Sequence, residues 1–241
     1  MRKTHRRGFS LVELMVVVAI MAVLISFAVP RFLGARRSAN ETSAIGTMRA
    51  IVSAQMALQA AGSIDTDSDG QAEYGYFGEM GGTVPARVSA GGSPGAGTLG
   101  NDELDPSPLI QSLGSVSQSV VTHSGYVFQI WLPAGNAAPI AGLAEDPSGG
   151  KLAAPFPDSD ATENAFCAYG WPVRAGFTGS RCFFVNQEGV ILEMQNRGAT
   201  PYSGVTGGPD FDAAFGLVGD MSAGFARGGP AADGNTWMPV Q

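Results

Sequence analysis

Histidine and cysteine are almost missing from this 241-residue chain, two of each, and only 15% of its residues are charged. One histidine, His5, lies in the basic head of the sequence, so His123 is the only imidazole beyond it. No GxSxG elbow, HExxH helix, phosphate-binding loop or dinucleotide fingerprint occurs. The adjacent carboxylates Asp102-Glu103 and Glu145-Asp146 fall in Gly/Pro-rich stretches and read as solvated side chains rather than an acid/base pair. Catalysis is therefore not expected. Positive charge is scarce too: beyond the first eight residues, ten Lys and Arg stand against 21 Asp and Glu, a net charge of −11. Such an acidic body repels nucleic acid and anionic headgroups, and no nucleic-acid partner is expected. What the chain has in quantity is glycine, 34, and proline, 15, a composition that suits a loop-rich extracytoplasmic protein.

It also has one long apolar run. From Phe9 to Val29 only Ser10, Glu13 and Ser26 interrupt 21 residues. As a helix rising 1.5 Å per residue this spans ~30 Å, one hydrocarbon core. Arg2, Lys3, Arg6 and Arg7 precede it and would hold the amino terminus in the cytoplasm, sending the rest of the chain across the inner membrane. A secretory signal peptide is the plainer reading, with Ser26-Phe27-Ala28 at its end, but the run exceeds the usual ~7–15 apolar residues. Neither that reading nor a simple anchor explains a carboxylate inside the run, which costs ~2.5–3.5 kcal/mol on insertion scales.

Gly8-Phe9-Ser10-Leu11-Val12-Glu13-Leu14 resembles the type III signal of type IV pilins and of type II secretion pseudopilins. The resemblance covers roughly the first 55 residues and implies four things. A prepilin peptidase would cut between Gly8 and Phe9, removing residues 1–8 as a leader. The new terminus at Phe9 would be N-methylated. Glu13 would hold the family's acidic position, and Pro30 the place where pilin helices bend or melt. The physics agrees. Cleavage frees an amino group with pKa ~7.7–8.0, and Glu13 of one subunit can pair with Phe9 of its neighbour. A slipped subunit would leave both charges unpaired in a low-dielectric core, a penalty of ~3–5 kcal/mol. Gly8, lacking Cβ, admits a protease close to the backbone. Pro30 lacks an N–H and is expected to weaken the helix around Ser26 to Phe32.

The implied fold is α+β and type IV pilin-like: residues 9–61 as a long helix, transmembrane over 9–29 and amphipathic over 30–61, packed on an antiparallel β head, 62–241, with long Gly/Pro-rich loops. Ala44, Ile45, Met48, Ile51, Val52 and Leu58 recur at helical spacing before Gly62, a natural cap. Met48 and Met56 read as core filler. Next, Asp65-Thr66-Asp67-Ser68-Asp69-Gly70 opens like an EF-hand loop, but the twelfth position is Tyr76. Asp65, Asp67, Asp69 and Glu73 are candidate Ca²⁺ ligands, against the alternative of a solvated turn.

Residues 125–132 read as a strand ending at Pro133, and 166–171, 182–185 and 190–194 as three antiparallel strands, the last two joined by a tight turn at Asn186-Gln187-Glu188-Gly189. Cys167 and Cys182 flank the first of those loops. In an oxidising compartment they are expected to bond, worth ~3 kcal/mol for a fifteen-residue loop; two buried free thiols are the alternative. Phe211, Phe215, Phe225 and Trp237 are spaced to pin a coiled tail onto the head. Three functions compete. The first is a type IV pilus subunit, exposed at the cell surface. The second is a periplasmic type II secretion pseudopilin. The third is a single-span, calcium-dependent adhesive or ligand-binding protein. The first two imply related subunits, a prepilin peptidase and an assembly machinery as partners.

Overall fold

The computed structural model describes residues 8–226 and 228–240. The basic residues Arg2, Lys3, Arg6 and Arg7 lie outside the described residues. Helix α1 runs unbroken over Leu11–Ala61. Ser10 caps it, with its backbone N–H donating to Glu13 Oε2 at 2.8 Å. Gly62 ends it in the left-handed region at φ 63°, where glycine meets no Cβ penalty.

The interruption expected at Pro30 is not present. Pro30 sits inside α1, and the long flanking helix carries the chain through the one missing N–H. Nearby, the Ser26 hydroxyl donates to the Val23 carbonyl at 2.7 Å, a bond that loosens the same stretch without breaking it.

After α1 come α2 (Phe77–Met80), a small ribbon of β1 (Val88–Ser89) and β2 (Pro94–Gly95), and α3 (Gln111–Gly114). Then follow β3 (Val121–His123), β4 (Tyr126–Pro133), β5 (Gly142–Ala144), α4 (Ser159–Thr162), β6 (Cys167–Pro172), β7 (Arg181–Asn186), β8 (Leu192–Gln195) and β9 (Met238–Pro239). The main sheet is antiparallel in the order β3-β4-β6-β7-β8-β9; β5 shares the β3 edge of β4, pairing with its far end. The tight turn expected after β7 is there, with Gly189 N–H donating to Asn186 O at 2.9 Å and Gly189 at φ 71°.

The sheet separates two cores. On one face Ala44, Met48, Ile51, Ala54 and Leu58 of α1 pack against Phe128, Ile130, Ala168, Phe183 and Val185. The approach is close: a Cβ on Gly170 would stand 2.9 Å from the Phe128 ring and 3.4 Å from Met48. On the other face the tail folds back, placing Phe215 and Trp237 against Tyr169, Trp171 and Phe184, with Phe211 and Phe225 at the margin. The tail aromatics thus do what their spacing suggested. Met56 does not: it is 56% exposed, on the side of α1 away from the sheet.

Candidate functional site

Two regions carry the residues singled out above. The first is the free end of α1. Every residue from Gly8 to Ala35 is exposed, with Phe9 at 81%. Leu11, Val12, Leu14, Met15, Val16, Val18, Ile20, Met21 and Leu24 show apolar surface all round the helix. This is the one helix among the described residues long and apolar enough to cross a membrane. Glu13 is the only carboxylate on it before Glu41, and among the described residues its side chain accepts one hydrogen bond, from Ser10 N–H. Such a helix needs lipid or other helices around it.

The free end gives way to the head at a polar joint that sequence reasoning missed. Asn40 donates to Thr178 O at 2.9 Å. Glu41, nearly buried, accepts from Ser180 N–H at 2.8 Å and from Arg181 Nε at 2.9 Å, while Arg181 also holds Glu193 at 2.6 Å. The β6–β7 loop thereby grips the helix. No local pattern signals this, because the partners are about 140 residues apart.

The second region is the Asp-rich loop. Asp65 accepts from Ser68 and Gly70 N–H, Asp67 from Asp69 N–H, and Asp69 from Gln71 N–H. Asp65, Asp67 and Asp69 place carboxylate oxygens within 4.8 Å of one another, and Asp67 forms a second such group with Asp160 and Glu163, contributed by α4 and its end. One Glu163 oxygen is buried without a hydrogen-bond partner. Burial, then Asp69, Asp67 and Asp160, push the Glu163 carboxyl above the usual range.

Glu73, expected among these ligands, is not with them. It is fully buried, accepts from Thr66 N–H at 2.8 Å, and pairs with Arg87 at 3.1 Å. Arg87, itself buried, also holds Glu79 at 2.9 Å. A guanidinium offers five donors in a fixed fork, enough to satisfy both carboxylates and the Tyr74 carbonyl. Glu73 therefore belongs to a core ion-pair network that its sequence position gave no hint of.

Glu145 is likewise not solvated as expected. It is 2% exposed and accepts from Gly78 N–H at 3.3 Å and Gly150 N–H at 3.0 Å, with its other oxygen unpartnered. Burial pushes its carboxyl up to about 8.

The expected disulfide is also absent. Cys167 and Cys182 are buried free thiols. Cys167 pairs across the ladder with Asn186, and the same register sets Cys182 opposite Trp171. Four residues of strand, ~13 Å, separate them, and bridging needs Cα atoms within ~7 Å. The length of the β6–β7 loop fixed this offset. Burial raises both thiols well above their ordinary value, which disfavours the reactive thiolate.

A family model described as the prokaryotic N-terminal methylation motif matches residues 3–29. The type IV major pilin protein PilA of Myxococcus xanthus (strain DK1622) is 36% identical over 86 residues, covering 36% of this chain and 38% of that relative. The chain thus matches about two fifths of the relative's length. No solved structure matches. A long apolar amino-terminal helix that carries this motif and docks on an antiparallel sheet is an α+β arrangement consistent with a type IV pilin-like fold.

Proposed function

We propose that this chain is a structural, non-catalytic subunit of a type IV pilus. In this reading a prepilin peptidase cuts between Gly8 and Phe9, the Phe9 amine is methylated, and the subunit waits in the inner membrane through residues 9–29. It then joins the filament by burying that half of α1 among other copies, with Glu13 pairing to the Phe9 amine of a neighbour. The observation that carries it is the all-round apolar exposure of α1 from Leu11 to Leu33 in a chain with the methylation motif. The relative named as a major pilin favours the pilus over the secretion rod. Intact-mass measurement tests the processing: loss of Met1 to Gly8 and gain of one methyl are expected. A retained leader or cleavage after Ala28 would reject the reading.

The Asp-rich loop supports a second element. We propose that Asp65, Asp67 and Asp69, joined by Asp160 and Glu163, bind Ca²⁺, a hard cation that takes clustered oxygen ligands. The closeness of the carboxylates within two groups that share Asp67 and draw on two chain segments carries it. Calcium should raise the melting temperature of the unmutated protein and leave Asp67→Ala unmoved; equal melting with and without calcium in the unmutated protein would reject it.

A further inference from the structure

The segment that follows β5, residues 145–152, is folded mainly on itself. Asp146 N–H donates to Gly150 O and Gly149 N–H to Asp146 O, both at 2.8 Å. Lys151 Nζ and Leu152 N–H reach the two Asp146 carboxylate oxygens at 2.6 and 2.9 Å, and Gly150 N–H donates to Glu145 Oε2 at 3.0 Å. Among the described residues, a single hydrogen bond joins this segment to the rest of the head: Gly78 N–H of α2 donates to the same Glu145 Oε2 at 3.3 Å. Close packing supplies the remaining grip. A Cβ on Gly150 would stand 2.7 Å from the Val84 side chain, and one on Gly149 would stand 3.3 Å from Val116. Beyond the segment, residues 152–155 are exposed.

The one polar anchor is therefore a titratable group. Its other oxygen, Glu145 Oε1, is buried with no partner. Facing it are Glu79 of α2, Tyr76 just before α2 and Asp146 of its own segment, none of them a cation. The nearby cations are engaged: Arg87 is shared by Glu73 and Glu79, and Lys151 is paired with Asp146. Burying an unpaired carboxylate costs far more than burying a neutral carboxyl. The bond to Gly78 thus belongs to the protonated acid.

We propose that Glu145 works as a proton-operated clasp: protonated, it pins residues 145–152 to α2; ionised, it moves into water and the segment opens while the sheet stays folded. The internal bonds around Asp146 travel with the segment, so opening breaks only the Gly78 bond and the contacts with Val84 and Val116. Neither the filament reading nor the calcium reading is needed for it.

Hydrogen–deuterium exchange of the full-length protein in detergent micelles tests it, from pH 5 to 8.5, with each rate divided by the intrinsic rate at that pH. The carboxyl is held up to about 8, so the opening of residues 146–152 should rise about tenfold per pH unit up to that pH and level off above it. Peptides from β6 and β7 should stay about a hundredfold or more better protected throughout. Glu145→Gln, neutral at every pH, should remove the rise. Lys151 is the only lysine beyond residue 8, so cleavage after it by a lysine-specific protease gives a second readout that needs no variant, and in the unmutated protein it should follow the same curve. Opening independent of pH, opening no more frequent than that of β6 and β7, or an unchanged profile in folded Glu145→Gln would overturn the proposal.

Discussion

The two halves of α1 are one continuous helix, yet they obey different rules. From Asn40 to Leu58 the buried positions keep to one side, Glu41, Ala44, Thr47, Met48, Ile51, Ala54, Gln55 and Leu58, and the head covers it. From Phe9 to Leu33 apolar side chains point in all directions and none of the described residues covers them. A stripe is what an intramolecular partner requires; a fully apolar surface is what a membrane or a bundle of copies requires. Secondary structure is the same in both, so the difference in partner is written only in the placement of the apolar residues.

Substitution separates the halves most sharply. Met48, 0% exposed, and Met15, 64% exposed, are the same residue in the same helix. Met48→Ala should cost about 2–5 kcal/mol in the stability of the head, measured by urea unfolding of the detergent-solubilised protein. Met15→Ala should leave that unfolding curve in place while lowering filament yield. Equal effects on head stability would erase the distinction.

The head also has a pH-dependent weakness at Glu145. Burial lifts the Glu145 carboxyl from 4.5 to about 8, opposed by the Gly150 and Gly78 N–H groups and assisted by Glu79 and Asp146. Folding therefore holds a proton that the unfolded chain releases. The stability this provides is full below pH 4.5 and is lost as pH rises through about 8, at up to about 1.4 kcal/mol per pH unit. Glu145→Gln should flatten that slope in melting curves taken between these limits; an unchanged slope would show that the carboxyl titrates normally.

The contrast also explains how much could be read beforehand. The apolar run, the Gly62 cap, the strands around Phe128, Tyr169 and Phe184 and the turn at Gly189 follow from local pattern, and the structure has them. What local pattern could not give was set by register and distance. Cys167 and Cys182 flank a hairpin loop, but its length slid them four residues apart. Glu73 looked like the continuation of an acidic loop until Arg87 drew it into the core. Glu163, which approaches Asp67, stands almost a hundred residues from it in sequence. Met56 shares a helix with Met48 but points away from the sheet. Pro30 suggested an interruption that the helix spans.

The proposed assembly of the free half turns on Glu13 serving other subunits. Among the described residues its side-chain hydrogen bond caps its own helix, and that contact does not by itself account for a carboxylate on an otherwise apolar, exposed surface. The direct measurement is the yield of sheared, sedimented filaments from cells carrying Glu13→Gln, set beside the melting curve of the purified head. A collapse in filament yield with an unchanged melting curve is predicted. Normal filament yield from the Gln variant would contradict the account.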